Sequence, residues 1–102
     1  MNIAFKRKND MVTVRFAGEL DHHWAGSARR RMDAYLAGRK INKLVLDFGG
    51  LKFMDSAGIG MILSRYKQTK RDGTRMYVKN VNAQIDKILK ISGIYRIVIR
   101  LD

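Results

Sequence analysis

The chain has 102 residues, enough for one hydrophobic core and too few for two. Hydrophobic residues make up 46% of it and charged residues 29%, a balance that excludes a disordered chain, and the lack of cysteine excludes disulfides and thiolate metal sites. No apolar run approaches the roughly 20 residues of a membrane-spanning helix, and the opening Met1 to Lys8 stretch lacks a secretory apolar segment. The expectation is a cytoplasmic protein with no membrane partner.

The net charge of +12 is the one unusual feature, and its cations lie in every segment. Lys6, Arg7 and Lys8 sit near the start, Arg29, Arg30 and Arg31 follow, and Lys67, Lys70, Arg71, Lys87 and Lys90 come later. With no stripe and little aromatic interleaving, they suggest a generally basic surface that favours acidic partners, with no direct binding of nucleic acid.

In chain order, Ile3 and Phe5 alternate with polar residues, Asn9-Asp10 breaks the run, and Val12, Val14 and Phe16 alternate again, which predicts a hairpin. Asp21 is a plausible N-cap for a helix through about Leu36, with Ala25, Ala28, Met32 and Leu36 as its inward stripe and Gly38 as its stop. Lys43 to Phe48 is a short branched apolar run and predicts a buried strand. A short loop then leads into a helix that opens at Ser56. Ile59, Ile62, Leu63 and Tyr66 recur there at i, i+3, i+4 and i+7 and are expected to face inward, with Met61, Ser64, Arg65, Lys67 and Gln68 opposite.

After the Asp72-Gly73 turn, Met76 to Val78 predicts a strand. Asn82 can cap a helix with Ile85, Ile88 and Leu89 inward and Gly93 at its end, and Ile97 to Ile99 predicts a last strand. The fold class is therefore α/β, a single domain with a mixed sheet of four to five strands. Its later strands are parallel and joined by right-handed crossovers, with helices packed on one face.

The stretch Phe53 to Tyr66 organises the rest. A hydroxyl at Ser56 lies where a helix presents unpartnered N–H groups and the positive end of its dipole, so it can accept a hydrogen bond and tolerate an anion. Gly58 and Gly60 leave the first turn nearly bare at a cost of roughly 1 kcal/mol each relative to alanine. A hydrolase elbow would need glycine two positions before the serine, where Met54 stands. His22 and His23 are adjacent, so on a helix they point about 100° apart and cannot share a metal ion. No Gly-Lys-Ser/Thr follows the glycines, so a nucleotide loop is unsupported. Asp21 and Asp55 could form an acid/base pair, although both are explained as helix-entrance residues. On spacing alone, Ser56 is open between a capping hydroxyl worth about 1 kcal/mol and a functional group.

Gly18-Glu19-Leu20-Asp21-His22-His23, Leu44-Val45-Leu46-Asp47 and Phe53-Met54-Asp55-Ser56-Ala57-Gly58-Ile59-Gly60, with Ser92-Gly93 further on, resemble the STAS domain family across residues 1–102. The likeness is strongest to its anti-sigma factor antagonists of sporulation. The resemblance implies that Ser56 is phosphorylated by a serine kinase that doubles as the anti-sigma factor, and that a protein phosphatase restores it. It implies a binding protein rather than an enzyme, with neither cofactor nor metal. Family members often have a second serine where Ala57 stands, which leaves one acceptor here. The expected docking surface is the first turn around Ser56 with the loop at Asp21: Asp21, Asp55, Ala57, Gly58, Ile59, Gly60 and Met61. The chain departs from the family by its basic charge and by the lack of a helix after the last strand. The alternative within the family is a scaffold or transport-assembly subunit, a constitutive interaction module.

Overall fold

In the computed structural model, which describes residues 1–102, the alternating N-terminal residues form β1 (Asn2–Lys8) and β2 (Met11–Leu20), paired antiparallel. Asn9 takes the left-handed conformation in the turn between them, with φ 55°. The chain continues through α1 (Ala25–Leu36), β3 (Lys43–Met54), α2 (Ser56–Asp72), β4 (Arg75–Lys79), α3 (Ala83–Ser92), a 3-10 turn at Ile94–Arg96 and β5 (Ile99–Leu101). The strands lie side by side in sequence order, and β2 to β5 are mutually parallel. Right-handed crossovers that step steadily in one direction bring all three helices to one face.

Strand alternation decides what that face contains. Val12, Val14 and Phe16 of β2, Leu44, Leu46 and Phe48 of β3, and Met76 and Val78 of β4 point at the helices. They meet Ala25, Ala28 and Met32 of α1, Met61 and Ile62 of α2, and Ile85 and Leu89 of α3. The residues between them lie on a face that no helix covers. There the paired positions bring Thr13, Val45, Tyr77 and Ile99 into one row, and Arg15, Asp47, Lys79 and Leu101 into the next.

Several boundaries differ from the sequence expectation. β3 runs on past Phe48 to Met54, because Gly50 passes so close to β2 that a Cβ there would lie 2.8 Å from the Ala17 Cβ, and shifts of register carry the pairing onward. Only Asp55 separates strand from helix, so there is no loop to speak of. α1 begins at Ala25, since the Asp21 carboxylate caps a preliminary turn instead, accepting from the N–H groups of His23 at 3.0 Å and Trp24 at 3.1 Å. The last strand starts at Ile99, after Ile94–Arg96 has wound into its 3-10 turn. Asn82 does cap α3, its Oδ1 accepting from the Ile85 N–H at 2.9 Å, and Gly93 at φ 80° ends it.

The largest correction concerns the orientation of α2. Its buried residues are Gly58, Met61, Ile62, Arg65 and Thr69, whereas Leu63 is 40% exposed and Ile59 and Tyr66 are half-buried. The helix is turned by about one residue from the apolar stripe, and Arg65 makes this possible. Its Nη1 donates to Asp33 Oδ1 of α1 at 2.7 Å, which pairs the charge where it leaves water, although the buried Nε has no partner.

Candidate functional site

The end of β3 and the start of α2 are joined by a carboxylate with two tasks. Asp55 Oδ1 accepts from the Ala57 N–H at 2.9 Å, which caps α2. Asp55 Oδ2 accepts from the His22 N–H at 3.1 Å, and the Asp55 N–H donates to the Leu20 carbonyl at 3.4 Å. The loop after β2 and the entrance of α2 are thereby fastened together, 33 residues apart in sequence. Burial pushes the Asp55 carboxyl up, but the N–H groups of Ala57, His22 and Gly58 outweigh it and hold the group below the usual carboxylate range. It is a fixed negative charge at neutral pH.

Ser56 is the first residue of α2, one position inside the cap, and it is exposed. The hydrogen bonds that knit the site together leave its Oγ free. No side chain hydrogen-bonds that hydroxyl, and both carboxylate oxygens of its neighbour already accept from backbone N–H groups. The hydroxyl is thus open to another molecule. His22 Nδ1 lies 3.8 Å from Asp55 Oδ2, with no third ligand that would make a metal site.

The glycines of the turn have different roles. A Cβ on Gly58 would fall 2.7 Å from Met54 Cγ and 2.8 Å from the Leu20 carbonyl oxygen, so Gly58 is buried where α2 presses on the strand ends. A Cβ on Gly60 would meet nothing within 4 Å. Of the expected docking residues, Ser56 and Gly60 are exposed, and Asp21, Asp55, Ala57 and Ile59 are half-buried around them. Met61 and Gly58 are withdrawn from that surface, because the rotation of α2 turns Met61 into the core, where it is 3% exposed. Sequence reasoning also missed the rim. Leu63 is exposed two turns along α2, and Trp24, 38% exposed, stands beside the site with the His23 ring edge-on at 4.9 Å. Trp24 was legible only as an aromatic next to a helix start; its exposure depends on where α1 begins.

A polar groove of about 960 Å³ between the far ends of α1 and α2 is lined by Asp33, Arg65 and Asp72 and does not reach Ser56.

Residues 2–102 match the family model for the STAS domain. A curated relative from Paenibacillus polymyxa, an anti-sigma F factor antagonist, is 37% identical over 97 residues, covering 95% of this chain and 83% of the relative. The solved structure of the anti-sigma factor antagonist SpoIIAA in its unphosphorylated form superimposes with a TM-score of 0.76 at 22% identity, covering 99% of this chain and 88% of that one. The Bacillus cell fate determinant SpoIIAA in its phosphorylated form gives 0.75 at 24% identity, with 99% and 92% covered. The chain belongs to the STAS domain family.

Proposed function

We propose that this protein is an anti-sigma factor antagonist whose binding is switched off by phosphorylation of Ser56. In this reading a serine kinase that is also the anti-sigma factor docks on the α2 entrance, around Ser56, Gly60 and the loop at Asp21, and releases its sigma factor. Two ligands that exclude each other on one protein each lower the other's apparent affinity. The kinase then transfers the γ-phosphoryl of ATP to Ser56 Oγ. The new P–O bond forms as the bond to the β–γ bridging oxygen breaks, ADP leaves, and the serine proton passes to a base of the kinase. A phosphatase reverses the state by hydrolysis. The protein itself is a substrate and a ligand, not a catalyst, and the cytoplasm is where such partners meet. No helix is long and apolar enough to cross a membrane.

The observation that carries this reading is the exposed, unengaged hydroxyl at the first residue of a capped helix. The relatives named as anti-sigma factor antagonists support it, and sporulation as its setting is part of the same proposal. A phosphate there adds about −1.5 to −2 charges at a helix N-terminus, which the fold tolerates. Against a net charge of +12 the overall field keeps its sign. The effect is therefore local: a dianion beside the ionised Asp55 adds repulsion, bulk and desolvation cost on a surface otherwise shaped for a hydroxyl.

Ser56→Ala is expected to bind the kinase permanently, and Ser56→Asp to bind it roughly a hundredfold more weakly, about 2.8 kcal/mol, with an unchanged melting curve. Titration calorimetry with a serine kinase/anti-sigma factor of this class, together with radiolabelled phosphate transfer that stops in Ser56→Ala, checks this. Equal affinities for wild type and Ser56→Asp would remove the mechanism.

A further inference from the structure

Cations that look scattered along the sequence are gathered by the topology. On the sheet face without helices, the paired positions place Lys8, Met11, Lys43 and Arg75 in one row and Lys6, Thr13, Val45 and Tyr77 in the next. Ala4, Arg15, Asp47 and Lys79 form the third. The rows are roughly 6.7 Å apart along the strands, and neighbouring strands roughly 4.8 Å apart. Four strands thus contribute six cations, Lys6, Lys8, Arg15, Lys43, Arg75 and Lys79, to one open surface. Asp47 is the one carboxylate in these rows, and it is already engaged by the Asn80 amide at 3.0 Å, the Gly49 N–H at 2.9 Å and Arg15 at 3.5 Å. Tyr77 lies half-buried in the middle row, and a depression of about 410 Å³ on the same face is walled by Lys6, Met11, Arg15 and Lys79.

We propose that this open sheet face binds single-stranded nucleic acid. Like charges packed this closely favour a polyanion. Cations surround the middle of the face, where Thr13, Val45 and Tyr77 lie, and the exposed apolar Ile99 and Leu101 are confined to its β5 edge, whereas the cores of protein–protein interfaces are depleted of charge. An open sheet face lets an extended strand lie across the cations and stack a base on Tyr77, which a duplex cannot do. Ser56 lies beyond the C-terminal end of β3 and on the helix side of the sheet, off the face that carries the cations, so both surfaces can be occupied at once. The proposal departs from the expectation of no direct nucleic-acid contact, which treats the cations by their order in the chain and not by the rows in which the strands place them.

The test uses fluorescence anisotropy of the full chain with a labelled 20-nucleotide mixed-sequence single-stranded RNA. With four to six phosphates neutralised, raising salt from 50 to 200 mM weakens binding roughly 50- to 350-fold. The triple variant Lys6→Glu, Lys43→Glu, Arg75→Glu loses at least tenfold more affinity than the charge-matched helix variant Arg30→Glu, Lys67→Glu, Lys87→Glu, circular dichroism melts confirming that both fold. Tyr77→Leu loses at least about fivefold, and Ser56→Asp leaves binding unchanged. Equal losses in the two triple variants would show diffuse attraction to net charge and overturn the site. So would absence of binding at 50 mM salt, tighter binding of the same sequence as a duplex, or displacement of the RNA by poly-L-glutamate at lower charge concentration, which would make the partner an acidic protein.

Discussion

Gly58 and Gly60 look interchangeable as letters, and the fold treats them as opposites. Gly58 is fixed by contact with Leu20 and Met54, whereas Gly60 looks onto open space. Gly58→Ala is therefore expected to destabilise the protein by about 1–3 kcal/mol, since backbone at the Leu20 carbonyl cannot yield as a flexible side chain would. Gly60→Ala is expected to stabilise it by about 0.5–1 kcal/mol through helix propensity alone. Urea denaturation of the two variants separates the cases. If the bare turn also serves docking, Gly60→Ala raises stability while lowering kinase affinity, a combination that a purely structural glycine would not produce. The sequence shows that this turn must be bare; which glycine answers to the core depends on the path of β2, known only once the chain is folded.

At the scale of the element, the sheet was legible and the angle of α2 was not. Alternation in β1 and β2 has a single solution with one buried face, and β4 is bracketed by turn residues, so their partners follow. α2 offers two rival stripes one residue apart. The more apolar one, with Leu63 and Tyr66, loses because Arg65 finds Asp33 on the neighbouring helix and Gly58 permits close approach. Hydrophobic periodicity scores an arginine and a glycine as surface and so picks the wrong stripe. The consequence is measurable: Met61→Ala is expected to cost about 2–4 kcal/mol and Leu63→Ala less than about 1 kcal/mol in chemical denaturation. The same error of rotation explains why Met61 was assigned to the docking surface, while Leu63 at its rim went unnoticed. The Asp55 link to His22 was invisible for a different reason. Nothing local couples residues so far apart, and only the parallel pairing of β2 with β3 brings their ends together.

For the molecule as a whole, charge sets the response to acid. Asp47, Asp55 and Asp86 all have carboxyls held below the ordinary range. For Asp47, burial works against ionisation and is outweighed by Asn80, Gly49 and Arg15; for Asp86, hydrogen bonds from Tyr95 and Lys90 lead. Tyr95, half-buried against that carboxylate, is pushed up to about 12 and stays neutral at every ordinary pH. A depressed folded pKa contributes stability above the unfolded value, near pH 4, and the contribution is lost as pH falls through the folded value. Stability is therefore expected to be flat from about pH 7 to 5 and to fall below about pH 4. Neutralising carboxylates on a chain already at +12 adds self-repulsion to the loss. Denaturant midpoints at pH 7, 5, 4 and 3 check this, and Asp47→Asn should flatten the acid limb.

Because one aspartate clasps both the mouth of α2 and the turn after β2, and does so through backbone N–H groups, the tie does not depend on which side chains stand at positions 22 and 57. The chemistry presented there can vary while the two loops keep their mutual geometry. Only a change at residue 55 itself, or proline at either donor, would let them part.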